Sequence, residues 1–101
     1  MTRKPTSPGE LLNEEFLAPL ALTQRQLAEH IGCDVKVINR IVNERTSVSA
    51  DMALKLAAAL GTTAEFWLNA QRALDLHNAR KRSSKLPKRI KRKKIVGSEA
   101  A

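Results

Sequence analysis

The chain has 101 residues and one cysteine, Cys33. That is enough for one domain with a modest core, and it excludes an internal disulfide. The formal charge is +8, but it is unevenly placed: residues 1–79 carry eight bases against nine acids, and from Arg80 onward there are ten bases and one acid, Glu99. Charge alone therefore says nothing about a nucleic-acid partner for the body; the excess belongs to the tail. The first residues hold no apolar run long enough for a signal peptide. The longest apolar stretches, residues 17–22 and 52–60, fall short of the roughly 20 residues a membrane-spanning helix needs, and Lys55 interrupts the second. A soluble, cytoplasmic protein is expected.

Five helices can be read from their punctuation. Ser7 can cap the first, with Pro8 at its first position and Glu10 completing a Ser-x-x-Glu capping box. Leu11, Leu12 and Phe16 follow at near-helical spacing until Pro19. The second helix starts at Thr23 with Thr23-x-x-Gln26, buries Leu27, Ala28 and Ile31, and stops at Gly32, a natural left-handed residue. Asp34 can cap a third helix reaching about Asn43, with Ile38 and Ile41 inward. Its β-branched content makes it poor by propensity, so tertiary packing must hold it. Ser49 caps the fourth, Gly61 ends it, and Ala53, Leu56, Ala57 and Leu60 form its buried stripe. The fifth begins at Thr62 or Thr63, with Thr62-x-x-Glu65 as a capping box, carries Phe66, Trp67, Ala70, Ala73 and Leu74, and fades near Arg80. No alternating strand pattern and no internal repeat occurs. The fold class expected is all-α. From Lys81 the composition lacks a core-forming pattern and reads as disordered.

The informative stretch is residues 23–60. Two short helices joined by Ile31-Gly32-Cys33-Asp34 form a helix-turn-helix, whose glycine lets the helices meet steeply without a Cβ clash. In that arrangement the second helix enters the major groove of DNA. The residues pointing away from Ile38 and Ile41 are Val35, Lys36, Asn39, Arg40 and Asn43, the candidate base-reading set. Asn can pair with adenine, Arg or Lys with guanine, and Val can touch a thymine methyl. Gln24, Arg45 and Thr46 lie where phosphates would be met. The competing reading of Lys36, Asn39 and Arg40 is a solvated helix face, which the turn context disfavours. Trp67 and Leu74 on helix five exceed what one small core needs and are expected to supply homodimer contacts.

Other chemistry finds no support. His30 and His77 with a single cysteine make no zinc-site spacing, so neither a metal nor another cofactor is expected. There is no catalytic carboxylate pair, Ser/His/Asp set or glycine-rich phosphate loop, so no enzyme is expected. Cys33 reads as a small turn residue. The tail is open to DNA, RNA, an acidic partner or a role in solubility.

The segment TQRQLAEHIGCDVKVINRIVNERTSVSADMALKLAAALG resembles the Xre/lambda-repressor-like helix-turn-helix family. More narrowly, LNEEFLAPLALTQRQLAEHIG followed by SADMALKLAAALGTTAEFWLNAQRALDL is similar to the HigA-type (virulence-associated protein I) antitoxins, with Phe66 to Gln71 the most specific marker. The resemblance implies a five-helix lambda-repressor-like domain over residues 7–80; the basic flexible tail over 81–101 is read from composition alone and is a departure from the family. The resemblance also implies a homodimeric repressor of its own operon that binds a double-stranded DNA operator and neutralises a small, basic, ribosome-dependent mRNA-cleaving toxin, with no membrane partner. Glu44 stands where the family usually has glycine, where an acid would face phosphates awkwardly, and Asp34 replaces a frequent serine. Both acids leave open a toxin-binding module with weak DNA affinity. A phage-type or housekeeping regulator without a toxin is the other alternative, and the neighbouring gene would decide between them.

Overall fold

Four helices of this chain end in the same way, on a single left-handed residue. A computed structural model describes residues 3–83 and 85–91. Its elements are α1 (Pro8–Leu11), which runs directly into a π-helical segment (Leu12–Leu17), then α2 (Gln24–Ile31), α3 (Val35–Val42), α4 (Ala50–Leu60) and α5 (Ala64–Arg82). No strand occurs among the described residues. The expectation of a disordered tail falls partly on residues 84 and 92–101, which lie outside the described residues.

The left-handed residues are Ala21 (φ 53°), Gly32 (φ 87°), Glu44 (φ 58°) and Gly61 (φ 75°). In each case the next amide donates to a carbonyl five residues back: Leu22 to Leu17, Cys33 to Ala28, Arg45 to Arg40 and Thr62 to Ala57. This is the closing pattern that satisfies the last carbonyls of a helix. Two of the four sites carry a Cβ where glycine is unstrained.

The π-helical turn ahead of Pro19 has a physical cause. In a regular α-helix a proline ring clashes with the carbonyl four residues back, here that of Glu15. The wider turn, with the Ala18 amide reaching Asn13 at 3.0 Å, makes room, and the chain then turns out at Ala21.

The caps at Ser7, Thr23, Asp34 and Ser49 form as expected, with full capping boxes at Ser7/Glu10 and Thr23/Gln26. Helix five differs. Thr63, not Thr62, is its cap and accepts from the Phe66 amide, so the expected Thr62/Glu65 box does not form. The Thr62 hydroxyl instead accepts from Trp67 Nε1 at 2.7 Å, satisfying the one polar atom of a fully buried indole. Helix five also continues two residues beyond the expected fade, to Arg82.

The core gathers Leu12, Leu17, Leu27, Ala28, Ile38, Ile41, Val48, Ala53, Leu56 and Trp67. Ile31, Ala57 and Leu60, read as buried, lie half-exposed at its margin. Trp67 ties α5 to the π-helical segment through Phe16, with ring centroids 5.5 Å apart. Gly9 brings α1 so close to the end of α3 that a Cβ there would collide with the carbonyl oxygens of Ile41 and Val42. Packing against α1, α2 and the core therefore holds α3, whose own propensity is poor.

Candidate nucleic-acid interface

The geometry of the site begins at the turn between α2 and α3. Gly32 ends α2, and the Asp34 carboxylate accepts from the Lys36 amide at 2.8 Å to start α3. Burial of Ile38 and Ile41 then fixes the rotation of α3. Lys36, Asn39, Arg40 and Asn43 are left exposed, and Val35 is half-buried at the edge of the same face. Cys33 lies half-buried in the turn.

The exposed amides are partly organised. Asn39 Nδ2 donates to Gln24 Oε1 at 3.2 Å, joining the start of α2 to the middle of α3. Asn43 Nδ2 donates to the Asn39 carbonyl at 2.9 Å, so this side chain is folded back over the end of its own helix. Arg45 and Thr46 follow on the exposed turn and, with Glu44, line a cleft of about 180 Å³. The opposite wall of the cleft is α5, at Gln71, Leu74, Asp75 and Asn78. Gln71 holds that wall in place by accepting from the Val48 amide at 2.9 Å while its Nε2 donates to Asp75.

Two residues that sequence reading did not connect shape the electrostatics here. Lys4 Nζ lies 3.0 Å from Glu44 Oε1. The Lys4 hydrogen bond is the main reason the Glu44 carboxyl is held below its usual range; partial burial opposes it, and the Ser7 hydroxyl assists. The acid expected to face phosphates awkwardly is thus turned to a cation from the chain's start. No local pattern announces a pairing across forty residues.

The two residues expected at a dimer contact are both buried within the single chain. Trp67 is 0% exposed, packed in the core and against Phe16, while Leu74 is 6% exposed on the wall of the cleft. The large apolar residues that α5 leaves outward are Phe66 and Leu76. His30 and His77 are not part of any cluster of three or more metal-binding side chains among the described residues. Among the same residues, no helix is long and apolar enough to cross a membrane.

A short helix, a glycine turn and a second helix with an outward polar face define a helix-turn-helix domain. The helix-turn-helix family matches residues 14–67. Antitoxin HigA-1 of Vibrio cholerae serotype O1 is 44% identical over 89 residues, covering 88% of this chain and 84% of that protein. The solved structure of antitoxin GraA superposes with a TM-score of 0.77 at 45% identity, over 79% of this chain and 86% of that one. Pseudomonas aeruginosa antitoxin HigA, solved with the higBA promoter, gives a TM-score of 0.72 at 37% identity, over 74% and 82%. The chain belongs to the helix-turn-helix family, in its HigA-type antitoxin branch.

Proposed function

We propose that this protein is a sequence-specific DNA-binding repressor of its own operon and the antitoxin of a toxin–antitoxin pair, neutralising an mRNA-cleaving toxin in the cytoplasm. The observation that carries the DNA half is the exposed face of α3, with Lys36, Asn39 and Arg40 outward and Asn39 joined to Gln24. Its side chains have the donors and acceptors needed for base edges in the major groove, and the relative from Pseudomonas aeruginosa was solved with a promoter. On this reading Val35, Lys36, Asn39, Arg40 and Asn43 read bases, while Gln24, Arg45 and Thr46 meet phosphates. The pairing of Glu44 with Lys4 removes one of the grounds for a toxin-binding module with weak DNA affinity.

The active form on this reading is a homodimer, since two reading helices about 34–36 Å apart match successive major grooves of a palindromic site. The exposed Phe66 and Leu76 of α5 support contacts through that helix. The test is footprinting of the DNA upstream of the protein's own gene, together with co-expression with the adjacent reading frame. Protection of a palindrome and relief of growth arrest are the expected results. No protected site would remove the repressor reading, and no relief would remove the antitoxin reading.

A further inference from the structure

The charge of this molecule is concentrated at one place in the fold. The last turn of α5 carries Arg80, Lys81 and Arg82, and Lys85, Lys88, Arg89 and Lys91 follow, all exposed. Among the described residues, none of these cations forms an ion pair; the ion pair there is Lys4–Glu44. No acid lies between residues 80 and 91. The body they leave, residues 1–79, has one more acid than base.

The point of departure is informative. Asn78, two residues before Arg80, lines the same cleft as Arg45 and Thr46, the turn that follows the reading helix. The basic run therefore starts beside the edge of α3 that would face a DNA backbone. From Ser83 the chain to Lys91 can span up to about 30 Å, which reaches phosphates outside the groove occupied by α3. From Arg80 onward there is no aromatic residue. Stacking on aromatics is the usual means of holding single-stranded bases, so duplex phosphates suit this composition better than single-stranded RNA.

We propose that the basic run from Arg80 to Lys91 is a second DNA-binding element, an arm that grips duplex phosphates flanking the site read by α3 without reading sequence. It rests on the assignment of α3 to DNA. The body has a net excess of acid, so the arm supplies most of the long-range attraction and sets the salt dependence of binding. Phosphate contacts position a protein but do not specify a sequence, so the arm raises affinity for operator and scrambled duplex alike.

The experiment compares the full chain with a variant carrying Lys85→Gln, Lys88→Gln, Arg89→Gln and Lys91→Gln. Binding to operator duplex, scrambled duplex and single-stranded RNA of equal length is titrated across salt concentrations. Each lost phosphate contact flattens the slope of log K against log salt by about 0.9, so a change of roughly 2–4 is expected on both duplexes. The operator-to-scrambled ratio should move by less than about threefold. An unchanged duplex slope overturns the proposal, as does a slope change confined to RNA. A collapse of the operator preference overturns it too, since the arm would then read a groove. If the slope flattens on both duplexes but the full chain never prefers operator, the arm stands and the assignment of α3 fails.

Discussion

Lys4 donates a hydrogen bond from its ammonium to the carboxylate of Glu44 at 3.0 Å, closing the first residues of the chain onto the turn that follows α3. The approach is prepared by Ser7, fully buried in its capping box, and by Gly9 against the carbonyls of Ile41 and Val42. Glu44 thus carries its charge beside Arg45 and Thr46 without leaving it uncompensated. Lys4→Ala should weaken operator binding by up to about fivefold, the scale of an exposed ion pair. Adding Glu44→Gln should restore it. Equal weakening in both backgrounds, seen by titration, would mean that Lys4 touches phosphate itself.

The same pair sets a pH dependence. Glu44 is held below its ordinary value of 4.5, chiefly by the Lys4 hydrogen bond. Its contribution to stability is therefore complete above that value and lost as pH falls through the depressed one. Lys4 is raised above 10.5 by its hydrogen bond to Glu44 and then by the charge of that carboxylate. Its contribution is complete below 10.5 and lost as pH rises through the raised value. The stability difference between wild type and Glu44→Gln should be flat between these limits and shrink below pH 4.5. A difference that grows on acidification would contradict the pairing.

Left-handed backbone at Ala21 and Glu44 leads to a stability prediction. Each holds a Cβ in a conformation that costs an L-residue about 1–2 kcal/mol, while glycine gives back part of this by loosening the unfolded chain. Ala21→Gly should raise stability by about 0.5–1 kcal/mol in urea unfolding. Glu44→Gly should gain less, because it also removes the ion pair with Lys4. Destabilisation by Ala21→Gly would show that its side chain contributes more than its backbone costs.

Base reading is tested at α3. Asn39→Ala and Arg40→Ala should each weaken operator binding by about 1–3 kcal/mol with the fold intact by circular dichroism. Gln24→Ala should cost less but loosen preference at the base that Asn39 reads, because it frees the Asn39 amide to rotate. Wild-type footprints from both α3 variants would remove this reading face.

Thr62 and Gly9 carry structural predictions with opposite causes. Thr62→Val keeps the shape but leaves the buried Trp67 N–H without its acceptor, at a cost of about 1–3 kcal/mol. Gly9→Ala forces a methyl onto backbone oxygens that cannot move independently, and about 1–3 kcal/mol or more is expected. Thermal unfolding of the two variants reads both. A neutral Thr62→Val would mean that water reaches the indole.

Much of this molecule is written locally. Ser7, Thr23, Asp34 and Ser49 cap helices because their oxygens lie within reach of amides two or three residues ahead, and Gly32 and Gly61 end helices because glycine is unstrained there. The outward face of α3 was legible too, since burial of Ile38 and Ile41 fixes which neighbours face water. What tertiary structure alone decided depends on contacts distant in sequence. Thr62 and Thr63 are equivalent as caps until the Trp67 indole claims one of them. Trp67 looks surplus to a small core until α5 is packed against it. Glu44 reads as an exposed acid until Lys4 arrives from forty residues away, because chain pattern encodes periodicity and caps but not which surfaces meet.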